Sequence, residues 1–105
     1  MIFYFSGSGN SYAVAKQIAD KIEGEQVVSL ARFKDFKQCD NAERISLVFP
    51  CYCGSAPDIV LDFKNRLFTH IGKRGIYVFA VITYANSAGG SYLAFKEDVD
   101  AWFKI

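Results

Sequence analysis

A single histidine, three cysteines and two prolines are all that this sequence holds of those residues, and each scarcity closes off a class of protein. The Cys-x-Cys spacing of Cys51 and Cys53 is tight for zinc. The other candidate ligands, Cys39 and His70, are distant in sequence, so no metal centre is expected. An odd number of cysteines behind no export signal excludes a disulfide framework. No basic region precedes the short apolar run at the N-terminus, so no signal peptide is read. The longest unbroken apolar stretch, 76–82, is far short of the ~18 residues a membrane helix needs. Formal net charge is +1, Lys34, Lys37, Lys73 and Arg74 are scattered, and no Lys/Arg cluster carries interleaved stacking aromatics. Nucleic-acid binding therefore has no electrostatic footprint. What remains is a cytoplasmic globular protein, 51% hydrophobic and 22% charged over 105 residues, with room for one core and no second domain.

The apolar residues that are present fall into two alternating patterns. Residues 2–5 (Ile-Phe-Tyr-Phe) show no polar alternation, the mark of a strand buried on both faces. From Ser11 to Ile22, Ala13, Val14, Ile18, Ala19 and Ile22 recur at helical spacing, with Asn10 or Ser11 as N-cap and Gly24 as the stop. A short strand follows at 27–30, then a charged stretch, 31–37, with room for a turn or two of helix. In it Phe33 and Phe36 read as core. A third strand, 45–49, stops at Pro50. Residues 56–68 read as a second helix, with Pro57 near its first turn and Ile59, Val60, Phe63 and Leu67 as its stripe. His70, at its end, reads as a capping or surface residue. The strongest strand is 76–83, and a last helix carries Leu93, Val99 and Trp102. Strand, loop and helix in succession, with continuously apolar strands, predict an α/β fold with a doubly wound parallel sheet.

In such sheets ligands lie outside the carboxyl ends of the strands. Three loops leave those ends and are rich in small or polar residues: 6–11, 50–55 and 84–90. The first, Ser6-Gly7-Ser8-Gly9-Asn10-Ser11, stands between a strand and a helix with almost no side-chain bulk. Backbone amides at a helix N-terminus bind anions, glycine permits close approach, and serine hydroxyls donate further hydrogen bonds. Four better-known motifs fail on the letters. No Gly-Lys-Ser/Thr run makes a nucleotide P-loop. Tyr12 stands where the dinucleotide fingerprint needs Gly or Ala, and the second strand ends in Ser29-Leu30 rather than an acid. Neither Ser6 nor Ser8 has glycines two residues to either side, as a nucleophile elbow requires. No cysteine has an arginine six residues on, as a cysteine phosphatase loop requires.

The stretch 6–11 resembles the phosphate-binding loop of flavodoxins, in which hydroxyl residues occupy the first, third and sixth positions and glycine the fourth. Together with Val48-Phe-Pro-Cys-Tyr-Cys-Gly-Ser-Ala-Pro57, it is similar to the flavodoxin-like domain of proteins that join flavodoxin and ferredoxin modules on one chain. The resemblance spans nearly all of residues 1–105 and implies FMN as cofactor. Ser6, Gly7, Ser8, Gly9, Asn10 and Ser11 would hold its phosphate without Lys or Arg. Pro50, Cys51, Tyr52, Cys53 and Gly54 would flank the isoalloxazine ring, with Tyr52 stacking and the Cys53–Gly54 peptide turning its carbonyl toward N5 on one-electron reduction. Thr83, Tyr84, Ala85, Asn86 and Gly89 would cover the other edge. The flavin would carry the redox chemistry and the protein would set its potential. No residue is assigned as acid, base or nucleophile.

Two departures from the family shape the remaining expectations. The family sheet has five strands in order 2-1-3-4-5, and this sequence reads as four, order 2-1-3-4, lacking the fifth strand and last helix. Strand 76–83 would then be an apolar edge with no gatekeeper. It is expected to be covered by a second copy of the chain, giving a homodimer, or by a rearranged C-terminal segment. No ferredoxin-type cysteine run follows either, so an iron–sulfur redox partner must come in trans. The leading expectation is an electron carrier. Its rivals are a non-catalytic interaction module that has lost FMN with the fifth strand, and a dimeric NAD(P)H-dependent quinone reductase.

Overall fold

A computed structural model describes residues 1–6, 10–22, 25–50, 57–72, 75–83 and 101–104. Strands β1 (Ile2–Tyr4), β2 (Val27–Ser29), β3 (Arg44–Pro50), β4 (Tyr77–Thr83) and β5 (Ala101–Lys104) form one sheet in the order β2-β1-β3-β4-β5. Every pairing is parallel. Helix α1 (Asn10–Lys21) follows β1, and α2 (Asp58–Ile71) follows β3. The doubly wound parallel sheet and the 2-1-3-4 order are those expected. The expectation that a fifth strand is lacking is overturned: β5 lies along β4 with Phe79 opposite Ala101 and Ile82 opposite Lys104. Trp102, read as a helical residue, belongs to this strand. The physical reason is the free edge of β4, which offers a ladder of backbone partners to a segment whose Trp and Phe are good strand formers. The C-terminal segment is thus the cover that β4 takes, so the strand does not need a second copy of the chain.

Successive strand residues point to opposite faces, and the core divides accordingly. Phe3, Ile45, Leu47, Phe49, Val78, Ala80 and Ile82 pack on one face with Val60, Phe63, Leu67 and Ile71 of α2. Ile2, Val48 and Val81 pack on the other with Ala15 of α1. The strands are therefore mostly apolar on both faces, because both faces are covered. Phe33 and Phe36 pack against the α2-side core as expected, the latter from a 3₁₀ turn at Phe36–Cys39. Two stripe residues are misassigned. Ala13 is exposed, and Ile59 stays 39% exposed. The phase of α2 is set instead by Val60, Phe63, Leu67 and Ile71. That helix also runs three residues past its expected end at Phe68, to Ile71, and is capped by Gly72, whose φ of 56° suits a residue without a side chain.

At the amino ends of the strands the chain's own ammonium group donates to Glu25 Oε2 at 2.7 Å and to the Arg44 carbonyl at 3.0 Å. Arg44 Nε lies 3.4 Å from the other oxygen of Glu25. These contacts clamp β1 to β3 at the end of the sheet opposite the small-residue loops.

One hydroxyl is out of place in the interior. Ser46 is 1% exposed, and its Oγ has no hydrogen-bond partner among the described residues. An unsatisfied buried polar group costs about 1–3 kcal/mol. Ser46→Ala is therefore expected to stabilise the protein by about 1 kcal/mol, read as a higher urea midpoint at unchanged slope. A lower midpoint would show that the hydroxyl is satisfied.

Candidate functional site

Register brings the carboxyl ends of three strands to one edge of the sheet. Tyr4 is level with Val48, and Pro50 is level with Thr83. The chain leaves β1 at Phe5, whose N–H still donates to the Val48 carbonyl at 2.9 Å, and then passes Ser6. Helix α1 begins at Asn10 on the same edge. Its Ser11 turns inward, 1% exposed, beside Ala15, which is fully buried.

The decisive contact is between sequence neighbours of nobody. Ser11 Oγ lies 3.1 Å from Thr83 Oγ1, joining the first turn of α1 to the end of β4 across 72 residues of chain. Thr83 is itself 8% exposed, and its Oγ1 also lies 3.5 Å from the Phe49 carbonyl, at the outer limit for a hydrogen bond. A buried hydroxyl pair of this kind is a fixed, polar floor under the edge of the sheet.

Among the described residues two helices, α1 and α2, start at this edge, and their first turns differ in charge. α2 carries Asp58 in its first turn, whereas α1 has no acidic residue there. The partial positive charge of the α2 terminus is thus already complemented by the chain, while that of α1 is left for a ligand. Serine hydroxyls and an uncompensated helix N-terminus form a donor set that suits a phosphate.

Of the residues expected to form the site, Ser6, Ser11, Pro50 and Thr83 are brought to this edge, with the α1 backbone starting at Asn10. Gly7, Ser8, Gly9, Cys51, Tyr52, Cys53, Gly54, Tyr84, Ala85, Asn86 and Gly89 lie outside the described residues. Sequence reasoning placed Ser11 at the end of loop 6–11 and Thr83 at the end of strand 76–83, with no sign that they meet. It also passed over Tyr12, which is 44% exposed on α1 with its ring 5.0 Å from that of Tyr4.

Elsewhere, His70 packs on Phe36, and its Nε2 lies 2.8 Å from Asp40 Oδ1. It therefore fastens α2 to the turn after Cys39. Cys39 is a fully buried free thiol. Burial pushes it above its ordinary pKa, Asp40 and Asp35 push the same way, and the chain's ammonium group pulls against them. Among the described residues no helix is long and apolar enough to cross a membrane.

The sequence matches the family described as a flavodoxin domain over residues 1–102. The chain belongs to the flavodoxin family. Its fold is similar to that of solved flavodoxins. The structure of a flavodoxin from the domain Archaea superposes with a TM-score of 0.79 at 21% identity, covering 99% of this chain and 81% of that one. The solution structure of two-electron reduced Megasphaera elsdenii flavodoxin gives 0.79 at 23% identity, covering 98% and 82%. No curated protein matches the chain. At these identities the superpositions speak for the fold alone.

Proposed function

We propose that this flavodoxin-family chain is a cytoplasmic electron carrier that binds FMN at the carboxyl edge of its sheet and exchanges electrons with a separate redox protein. The observation that carries the reading is the acid-free N-terminus of α1, set at the carboxyl ends of β1, β3 and β4 and floored by the Ser11–Thr83 hydroxyl pair. Serine hydroxyls and backbone amides of 6–11 hold the phosphate. Pro50 and residues 51–54 would flank the ring, and residues 84–89 would cover its other edge. Bound FMN supplies the redox chemistry, and the chain's residues bind it, orient it and shield it from water. The interaction-module alternative rested on a lost fifth strand. With β5 in place that ground is gone.

The test is the visible absorption spectrum of the purified protein, before and after incubation with FMN and gel filtration. An equimolar amount of protein-bound flavin is expected, and Ser8→Ala is expected to weaken its retention. A protein that returns all added FMN on the column would overturn the reading.

A further inference from the structure

The Ser11–Thr83 pair holds two protons and one hydrogen bond, and which hydroxyl donates decides what the edge presents. If Ser11 donates, its remaining capacity is as an acceptor, and among the described residues the acceptor given for the Thr83 proton is the Phe49 carbonyl at 3.5 Å. If Thr83 donates across the 3.1 Å contact, the Ser11 proton stays available at the first turn of α1. The second arrangement makes the better use of distance, since 3.5 Å is marginal for a hydroxyl donor. It is also the arrangement an anion at an uncompensated helix N-terminus favours, because each donor in a chain of hydroxyls polarises the next.

We propose that Thr83 is a positioning residue for the phosphate site: it donates to Ser11 Oγ, fixes that side chain's orientation, and so keeps the Ser11 proton free to donate to the phosphate. This rests on the FMN reading above and assigns Thr83 a role through Ser11 rather than direct contact with the cofactor. The residue type suits the role. A β-branched threonine is held to few χ1 rotamers, and at 8% exposure its hydroxyl has little water to turn to.

The experiment compares FMN with riboflavin, which has the same ring and no phosphate, in wild type, Thr83→Val and Thr83→Ser. Thr83→Val keeps the shape and removes the donor. It is expected to weaken FMN roughly tenfold or more, the scale of a hydrogen bond to a charged group, and to leave riboflavin affinity unchanged. Thr83→Ser is expected to recover most of the FMN preference. Equal loss of both flavins in Thr83→Val, or none of either, would overturn the assignment while leaving the FMN reading intact. A wild-type protein that shows no preference for FMN over riboflavin would instead overturn the reading on which it rests. Thermal melting of the flavin-free variants separates both outcomes from a folding defect, because a purely structural threonine would lower the melting temperature without changing the FMN-to-riboflavin ratio.

Discussion

Phe3→Ala is expected to lower the unfolding free energy by about 3–5 kcal/mol, out of the ~5–15 kcal/mol available to a domain of this kind. Phe3 is fully buried. Its ring centroid lies 4.7 Å from that of Phe33 and 5.0 Å from that of Phe63. Phe36 closes the group, 5.6 Å from Phe33 and 5.4 Å from Phe63. The cluster draws on β1, the segment after β2, the 3₁₀ turn and α2, so one truncation loosens four parts of the fold. Ring pairs at these distances add ~0.5–1.5 kcal/mol each beyond the area they bury. A parallel sheet layer covered on both sides also has little freedom to collapse into the hole. Urea unfolding at 25 °C reads the loss directly. A change below about 1.5 kcal/mol would mean that Phe33 and Phe63 move inward and refill the space.

The same cluster shows why much of the fold was legible. Phe3 stands in a run with no polar alternation, and such a run fits only a strand covered on both faces. Phe33 and Phe36 are three apart in a charged stretch, so their inward turn could be read from spacing alone. Ile59 was misread because adjacent residues on a helix differ by only a third of a turn. Either Ile59 or Val60 could border the stripe, and the phase was settled by Ile71, beyond the expected end of the helix. Lys64 is 7% exposed on that same face, where a lysine's long aliphatic stem can lie along apolar surface, and no periodicity announces it. The site was legible in one loop and illegible across the sheet. Six residues quoted from Ser6 to Ser11 were enough to suggest an anion, but the partner of Ser11 lies 72 residues away. Only the β3–β4 register and the packing of α1 bring Thr83 under it.

The fifth strand is the clearest case of tertiary context overriding local pattern, and it carries the remaining large effect. Ala101-Trp-Phe-Lys is too short for its periodicity to distinguish strand from helix. What settles it is β4, whose residues Phe79, Ala80, Val81 and Ile82 each have a partner in β5. The stretch 84–100 between them exceeds the dozen or so residues a parallel return requires. Ending the chain at Asp100 is therefore expected to expose an apolar strand edge with no proline or lysine on it, the kind that pairs with other chains. Size-exclusion chromatography should show the shortened protein shifting from monomer to larger species as concentration rises, together with a lower melting temperature. Concentration dependence is the informative part. A shortened chain that melts earlier but stays monomeric at every concentration would mean that β5 contributes stability without guarding the edge. One that melts and elutes as the full chain does would mean that the β4–β5 ladder contributes little. Self-association on removal of β5 would tie the homodimer expected from the sequence to a β4 edge whose own C-terminal strand is withheld.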